Sequence, residues 1–424
     1  MLRKLLAAAL VASLALIAAP LSAGAQSLTQ DRPEQLGFSS ERLGHITSIL
    51  REHTTKGMLP GAILLIARHG KIAYFEAFGA LDPQTEAPMT KDAIFRIYSM
   101  TKPITSVAAM MLVEDGKLAL ADPVAKYIPE FKDAMVAVEE ASEEGKPTVS
   151  LAPARPMRVY DLIRHTSGLT YGVFGDNPVK RAYRDSGLIK GDFDNAEFVA
   201  RIAKLPLMFQ PGTAWEYSHA TDVLGRVVEV VSGKSLYDFM KERILDPLGM
   251  TDTSFYVVDA SKHPRIAEPF KDDRTIGTDA VFFDPRQPSR YQSGGGGMVA
   301  TVMDYAHFLQ MLLDGGHVGH KQLLGPKTIA MMTSDHIGAA VNTGSAYLPG
   351  EGYGFGLGFA VRKETGLSPI PGTAGDYNWG GAGGTAFWVD PKENMFVVYM
   401  SQAPKNRAYY RILLRNLIYA AMTK

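Results

Sequence analysis

The chain has 424 residues, in which 44 lysines and arginines balance 44 aspartates and glutamates, and 46% of its residues are hydrophobic. The balanced charge gives no overall attraction for nucleic acid, so nucleic-acid binding is not expected, whereas the hydrophobic content is ample for a large core. The chain has no cysteine, which excludes both a disulfide framework and a lipid-modified cysteine anchor.

The first 25 residues have the features of an export signal. Two cations are followed by an apolar stretch at residues 5–19 and then by small residues suited to cleavage. The alternative is a membrane anchor, but the apolar stretch is short for a transmembrane helix. We therefore predict a signal peptide over residues 1–25 that is cleaved after Ala25. The mature chain from Gln26 is predicted to be secreted or periplasmic, without stable membrane insertion.

A helix and a β-hairpin are predicted next. Residues 41–54 place apolar side chains on one helical face. Residues 62–68 and 71–78 are strand-like runs, and the His69-Gly70 dipeptide between them suits a tight turn.

Ser99 and Lys102 stand three residues apart at the start of a predicted helix. Apolar residues recur with helical spacing between positions 104 and 112, and Gly116 can end the helix. A lysine one turn from a serine can help to activate its hydroxyl, and a helix N-terminus favours developing negative charge. A lone Ser-x-x-Lys is expected about once by chance in a chain this long, so a capping serine and a solvated lysine are the alternative.

The middle of the chain is predicted to be mostly helical, and strands return near the end. The charged segment at residues 139–146 is predicted to be an exposed loop. Helices are predicted at residues 222–231, 236–245, 303–313 and 407–421, and strands at residues 353–361, 385–389 and 395–401.

Together these elements predict an α/β (α+β) fold. One antiparallel sheet is built from both ends of the chain and flanked by helices, with a mostly helical lobe inserted. We expect a single catalytic domain over residues 26–424. Its sheet lobe would comprise about residues 26–95 and 300–424, and its helical lobe about residues 96–299.

Tyr217 is the candidate for a second proton carrier. It follows a turn at residues 210–213, which places it at the edge of a helix. A tyrosine beside a cation such as Lys102 can accept the proton of a serine and return it to a leaving group. His219, two residues on, would share the face of Tyr217. The alternatives are a packing tyrosine and a hydrogen-bonded histidine without a chemical role.

The segment at residues 377–385 is rich in glycine and enters a predicted strand. Such a strand lets a substrate approach the backbone closely. One of its N–H groups, together with that of Ser99, would form a two-donor oxyanion hole. The alternative is a β-bulge that bends the strand.

In this order, the motifs resemble those of the serine β-lactamase-related superfamily, which includes class C β-lactamases, DD-peptidases of the penicillin-binding type and family VIII carboxylesterases. The resemblance covers essentially the whole mature region. The matching segments are residues 99–103, 162–169, 211–212 with 217–219, 294–301, 353–358 and 379–381.

The resemblance implies a β-lactamase/DD-peptidase-like fold and an acyl-enzyme mechanism. Ser99 would be the nucleophile, Lys102 and Tyr217 the proton-transfer pair, and the N–H groups of Ser99 and Ala382 the oxyanion hole. The turn at residues 165–168 would be structural. No cofactor is implied, and His317 and His320 lack a third ligand, so no metal is expected.

Two departures from the lactamase pattern bear on the substrate. Trp379-Gly380-Gly381 replaces the usual Lys-Thr-Gly, whose cation holds a substrate carboxylate, and some family VIII esterases have this version. Loss of the lysine cation removes roughly 1.5–3 kcal/mol of binding free energy for a substrate carboxylate, which favours neutral esters as substrates. His219 stands where many relatives have asparagine, and its imidazole can still accept a hydrogen bond from Lys102, so its effect on Lys102 stays open. His219 and the Trp379-Gly380-Gly381 segment are the predicted substrate-binding residues.

The leading prediction is therefore a secreted carboxylesterase for small to medium acyl esters. A class C-like β-lactamase or DD-peptidase is one alternative, and it requires carboxylate recognition by residues that the sequence does not reveal. A non-catalytic relative that binds peptidoglycan or a peptide is the other. The predicted partner is a small-molecule ester or amide, and the oligomeric state stays open.

Overall fold

The computed structural model describes residues 28–140, 148–273, 283–344 and 346–424. The predicted signal peptide lies outside the described residues, and so do residues 141–146 of the predicted charged loop. None of the helices in the described ranges combines the length and the apolar character needed to cross a bilayer.

The helices of the described ranges follow the predicted order closely. Their bounds are α1 (Ser40–Thr55), α2 (Thr101–Glu114), α3 (Val159–Ile163), α4 (Pro178–Asp185), α5 (Asn195–Ile202), α6 (Ala220–Ser232), α7 (Leu236–Met240), α8 (Val302–Leu313), α9 (Pro326–Met332) and α10 (Arg407–Ala421).

The strands found in the described part of the chain form one large sheet and three two-stranded pairs. Their bounds are β1 (Thr29–Gln30), β2 (Gly61–Arg68), β3 (Lys71–Asp82), β4 (Ala87–Pro88), β5 (Phe95–Arg96), β6 (Met135–Glu140), β7 (Thr148–Pro153), β8 (Val299–Ala300), β9 (His317–Val318), β10 (Lys321–Gln322), β11 (Tyr353–Phe355), β12 (Ala360–Arg362), β13 (Tyr377–Gly380), β14 (Ala386–Asp390) and β15 (Met395–Ser401).

The large sheet joins the two ends of the chain. Its strand order is β1-β3-β2-β15-β14-β13-β12-β11, with β4 added beside β3, and the pairs are antiparallel except for β1 with β3. The predicted hairpin of β2 and β3 is present, and His69 and Gly70 take the positive φ angles of 55° and 73° that a tight turn of this kind requires. The sheet predicted from both chain ends is thereby confirmed.

Strand β2 is buried on both faces because helices cover both sides of the sheet. Ile63 and Leu65 belong to the core shared with α2 and α8, whereas Leu64 and Ile66 pack on the side of α1 and α10. The alternation follows from the two-residue period of a strand. The first of these cores continues into the helical lobe, where it reaches the elements that carry the candidate site.

Two elements that the sequence predicted as continuous are each divided in the structure. The predicted strand at residues 353–361 is the hairpin of β11 and β12, because the chain reverses at Gly356–Gly358. Gly358 has a φ of 100°, and a Cβ on Gly356 would lie 2.2 Å from the carbonyl oxygen of Met332. The predicted helix at residues 236–245 is α-helical only to Met240 and continues as a π-helical turn, Lys241–Leu245.

The middle of the chain is less helical than predicted. Strands β6 and β7 form an antiparallel hairpin within it. Val138 of β6 and Leu151 of β7 are 38% and 56% exposed, so this hairpin does not bury a full apolar face of its own. The division into sheet and helical lobes at about residues 95 and 300 stays a prediction.

Candidate active site

Ser99 lies in a short 3-10 turn, Tyr98–Met100, that leads directly into α2. Tyr98, next to it, has a φ of 44°, a left-handed conformation that is uncommon for a bulky residue. The turn brings Ser99 to the N-terminal end of α2, where the helix dipole favours negative charge. Pro103 occupies the first turn of the helix, where a missing backbone N–H costs no hydrogen bond.

Lys102 is buried, with 1% of its surface exposed, and its ammonium group faces three acceptors. Its Nζ lies 3.3 Å from the Oγ of Ser99, 2.9 Å from the hydroxyl of Tyr171 and 2.6 Å from the carbonyl oxygen of Gly295. An ammonium group has three N–H donors, so each of them has a partner. The site holds a cation within reach of the serine without leaving any of its donors unsatisfied.

Tyr217 is part of an aromatic cluster around this cation. The Nζ of Lys102 lies 4.5 Å from the centre of the Tyr217 ring, and the indole N–H of Trp379 donates to the Tyr217 hydroxyl over 3.3 Å. The rings of Tyr171 and His165 pack at 5.2 and 5.0 Å from it. These contacts hold the phenol between α2 and strand β13.

A buried carboxylate supports the loop that faces Lys102. Asp222 of α6 accepts hydrogen bonds from the backbone N–H of Gly295 at 3.0 Å and from the hydroxyl of Ser293, and it lies 3.0 Å from Nδ1 of His219. Burial alone would raise the pKa of Asp222, but the contact with His219 and the charge of Lys102 outweigh it and lower the pKa to about 2. The carboxylate is thus ionised, and it holds the backbone of Gly295, whose carbonyl oxygen Lys102 contacts.

Strand β13 brings the glycine segment against the turn that carries Ser99. A Cβ on Gly381 would lie 2.3 Å from the carbonyl oxygen of Ile97, so only glycine fits here. The Thr385 hydroxyl donates to the same oxygen at 3.3 Å. On α10, the guanidinium of Arg411 donates to the carbonyl oxygens of Gly381 and Thr385 at 2.8 and 3.1 Å.

A cavity of about 280 Å³ opens between these elements. Ser99, Tyr217 and Ala382 line it, together with Trp379 and Gly380. Its remaining lining is largely apolar and aromatic, with a cluster of cations from α10. These other residues are Phe174, Leu348, Pro349, Tyr353, Ile370, Asn378, Ala386, Phe387, Trp388, Arg407, Arg411, Ile412 and Arg415.

Comparisons with known proteins agree with this arrangement. A family model described as Beta-lactamase matches residues 46–421. Esterase EstB of Burkholderia gladioli is 32% identical over 390 residues, which cover 85% of this chain and 91% of that protein. A putative D-alanyl-D-alanine carboxypeptidase of Escherichia coli is 28% identical over 404 residues, covering 89% and 86%. The structure of EstCE1, a hydrolase with promiscuous acyltransferase activity, aligns at a TM-score of 0.73 with 26% identity, covering 91% and 99%.

The chain belongs to the β-lactamase family. The matched region includes every strand of the large sheet from β2 to β15, and the chain is a serine hydrolase of this family. The predicted superfamily and the predicted fold are confirmed. The roles given to Ser99, Lys102 and Tyr217 stay predictions, although the structure brings the three side chains together.

His219 is not the acceptor of a hydrogen bond from Lys102, which donates to Ser99, Tyr171 and Gly295. In this member of the family, Nδ1 of His219 faces Asp222, three residues later in the same helical turn, and its ring packs 4.3 Å from that of Tyr171. Tyr171 takes the hydrogen bond from Lys102 instead. His219 is also absent from the cavity lining, so its predicted contact with substrate has no geometric support.

Three site features escaped the sequence reasoning. Tyr171 is the first, because no local sequence pattern links it to Lys102. The second is the carbonyl acceptor at Gly295, because a glycine run such as residues 294–297 does not show which of its carbonyl groups faces Lys102. Asp222 carried the only available signal, since an acidic residue three positions after His219 on a helix lies on the same face.

The described residues contain no group of three or more histidines and carboxylates arranged to hold a metal ion.

Proposed function

We propose that this serine hydrolase is a secreted carboxylesterase that forms an acyl-enzyme on Ser99. The observation that carries the proposal is the 3.3 Å separation between Lys102 Nζ and Ser99 Oγ at the edge of a largely apolar cavity. A serine hydroxyl needs a nearby group that lowers the barrier to losing its proton, and a buried ammonium with a tyrosine beside it provides one.

In the acylation step, the Oγ of Ser99 attacks the ester carbonyl while its proton passes to Tyr217. The acceptor is the phenolate form of Tyr217, which becomes neutral as it takes the proton. Lys102 stabilises the negative charge of this phenolate before the transfer and that of the serine oxygen during it, because it lies close to both side chains. The carbonyl oxygen becomes an oxyanion, which the N–H groups of Ser99 and Ala382 bind. Collapse of this intermediate breaks the ester C–O bond, and the proton on Tyr217 goes to the departing alcohol.

Deacylation repeats these steps with water in place of the serine. Tyr217 removes a proton from the water, the resulting oxyanion uses the same two N–H donors, and the serine oxygen recovers its proton as it leaves. The balance is one ester and one water consumed, with one acid and one alcohol released.

The preference for an ester rests on two supports. The relatives named esterase EstB and EstCE1, a hydrolase with promiscuous acyltransferase activity, cover most of this chain. Trp379 also occupies the strand position where lactamases carry the lysine of Lys-Thr-Gly, and its N–H is directed to Tyr217 rather than to the cavity. An aromatic wall at this position suits an acyl chain.

The test compares 4-nitrophenyl butyrate with a chromogenic cephalosporin, using the mature protein and its Ser99→Ala variant. We expect ester turnover that Ser99→Ala abolishes, together with a covalent adduct that mass spectrometry locates on the peptide containing Ser99. Rapid cephalosporin turnover with negligible ester cleavage would instead favour the β-lactamase or DD-peptidase alternative. The relative from Escherichia coli, named a putative D-alanyl-D-alanine carboxypeptidase, supports this alternative.

The same material tests the remaining parts of the proposal. Failure of both substrates and of covalent labelling favours a binding protein without catalysis. Export is tested separately by expressing the full chain and sequencing the N-terminus of the extracytoplasmic protein, which we expect to begin at Gln26.

A further inference from the structure

The loop at residues 171–176 supplies two side chains to the candidate active site. The hydroxyl of Tyr171 accepts the hydrogen bond from Lys102 at 2.9 Å, and Phe174 lines the cavity. The centre of the Phe174 ring lies 6.0 Å from that of Tyr217. A displacement of this loop would therefore change the wall of the cavity and the surroundings of the Lys102 ammonium together.

Side chains, rather than backbone pairing, hold this loop in place. Among the described residues, none of its backbone groups bonds to another backbone group. The N–H of Gly172 donates to the Thr170 hydroxyl at 3.0 Å, and the carbonyl of Gly172 accepts from Arg184 at 2.6 Å. The carbonyl oxygen of Phe174 accepts from Nζ of Lys180, on the first turn of α4. The position of Phe174 thus depends on Lys180.

Lys180 also forms the ion pair that joins this loop to the segment carrying Tyr217. Its Nζ lies 3.0 Å from Oε1 of Glu216, the residue before Tyr217, and the same oxygen accepts from the Thr170 hydroxyl at 2.7 Å. The side chains of the pair are only 9% and 12% exposed. Removal of one partner leaves an uncompensated charge in a largely buried place, so the local structure must rearrange.

The ion pairs on the outer side of the loop lie at the surface. Asp176, which ends the loop, pairs with Arg181 and Arg184, but the Asp176 side chain is 58% exposed. Ion pairs in water contribute little to holding a loop, because solvent and salt screen them. The pair of Lys180 and Glu216 is therefore the contact that best accounts for the position of Phe174.

We propose that Lys180 and Glu216 are positioning residues that hold Phe174 against the acyl chain of the substrate. This inference rests on the proposed esterase function and adds to it two residues that do not touch the reacting atoms. An apolar contact between Phe174 and the acyl chain orients the ester for attack by Ser99, so part of the binding energy appears in kcat. Loss of the ion pair lets the loop move and removes this contribution for long acyl chains, whereas an acetyl group offers the ring little apolar surface.

A comparison of 4-nitrophenyl hexanoate with 4-nitrophenyl acetate tests the proposal. We expect the parent enzyme to have a kcat/KM about tenfold higher for the hexanoate, because a methylene chain packed on an aromatic ring buries apolar surface. Lys180→Met keeps the apolar stem and should remove most of this preference, with a lower kcat as well as a higher KM for the hexanoate. Lys180→Arg keeps the charge and should retain most of the preference. Glu216→Gln removes the charge of the other partner and should act in the same direction as Lys180→Met.

Phe174→Ala shows whether the ion pair acts through this ring. It should lower the hexanoate-to-acetate ratio of kcat/KM about tenfold, and the addition of Lys180→Met should lower the ratio no further. Arg68→Met is the matched control, since its pair with Glu393 at 2.8 Å is also partly buried but lies outside the cavity lining. This control should lower the melting temperature and leave the ratio unchanged. A ratio that neither Lys180→Met nor Glu216→Gln alters, or additive effects in the double variant, would overturn the proposal.

Binding to the Ser99→Ala protein separates this inference from the esterase proposal. Calorimetry should show tighter binding of the hexanoate than of the acetate, and Lys180→Met should reduce the difference. If the parent enzyme turns over neither ester while Lys180→Met still reduces this difference, the reaction has been assigned wrongly but the positioning role stands. If both esters are cleaved with a ratio that the variants leave unchanged, the positioning role alone falls.

Discussion

The indole N–H of Trp379 donates a hydrogen bond to the phenol oxygen of Tyr217 over 3.3 Å. The bond links strand β13 to the segment that precedes α6, and it gives the proposed proton carrier a donor that favours negative charge on its oxygen. A residue at the position of the lactamase lysine thus acts on the proton carrier, not on a substrate carboxylate.

Replacement of Trp379 by phenylalanine removes this donor and keeps an aromatic wall. We expect kcat to fall by about tenfold or less, because a hydrogen bond of this kind contributes about 0.5–1.5 kcal/mol. Trp388→Phe provides the comparison, since the Trp388 N–H is buried without a partner and only ring area is lost. Equal kcat values for the two variants would show that the bond has no catalytic effect.

Tyr171→Phe leaves one N–H of the Lys102 ammonium without its acceptor. Hydrogen bonds to charged groups contribute about 1.5–3 kcal/mol, so kcat/KM for a neutral ester should fall by roughly ten- to a hundredfold. The pH profile of kcat/KM should also change, because the surroundings of the cation change. Tyr347→Phe is the matched control, as the Tyr347 hydroxyl is buried without a partner. A profile and rate like those of the control would contradict the assigned role of Tyr171.

The carboxyl of Asp222 links stability to acid pH. Since its pKa falls from 3.8 to about 2 on folding, its ionisation stabilises the fold above pH 4, and this contribution is lost as the pH falls through about 2. The expected size is about 2 kcal/mol. Asp222→Asn should lower the free energy of unfolding at neutral pH. It should also reduce the decrease of this free energy between pH 4 and about 2, measured by urea unfolding. An unchanged decrease would mean that Asp222 is not responsible for this pH dependence.

The carboxyl of Asp304 on α8 has the opposite effect on the pH dependence of stability. Burial raises its pKa to about 6, despite hydrogen bonds from Thr253 and the backbone of Asp252. Its contribution to stability is therefore complete below pH 4 and is lost as the pH rises through 6. Asp304→Asn should remove about 3 kcal/mol of pH dependence over this interval. The exposed Asp185→Asn should retain the dependence of the parent protein, and the same slope in both variants would refute this assignment.

Gly381→Ala should disrupt the proposed oxyanion hole and the fold around it. The new Cβ would meet the Ile97 carbonyl at 2.3 Å, so β13 and the turn carrying Ser99 must separate. Overpacking of this kind costs about 1–3 kcal/mol, visible as a lower melting temperature, and kcat should fall with it. At Gly366 a Cβ meets no atom within 4 Å, and Gly366→Ala should leave both quantities near those of the parent. A fully active Gly381→Ala enzyme would exclude the assigned geometry.

The parts of the fold that the sequence predicted correctly are those with a strong local signal. The hairpin of β2 and β3 has continuous apolar runs around a turn dipeptide, and α10 has an apolar stripe over its whole length. The pairing of β6 with β7 was missed because these strands bury little apolar surface and the charged sequence at residues 139–146 is typical of an exposed loop. Residues 353–361 were predicted as one strand but contribute to two, because their aromatic and glycine content fits one strand as well as two.

The candidate site shows the same division between local and tertiary information. The proximity of Ser99 and Lys102 follows from helix geometry, and motif order indicated that Tyr217 and Ala382 would approach them. The choice of Tyr171 over His219 as the partner of Lys102 depends on side-chain directions within a packed aromatic cluster. The approach of Arg411 to Gly380 depends on how α10 packs across the sheet, which no local pattern encodes.

The pairing of β2 with β15 has a consequence for the order of events during synthesis. Ala62 sits opposite Ser401, so the central ladder of the sheet closes only after nearly the whole chain has been translated. Ser99 and Lys102 emerge from the ribosome early, but the glycine strand that faces them emerges late. A nascent or truncated chain therefore exposes a serine without its catalytic surroundings, and hydrolysis begins only when the last strand has docked.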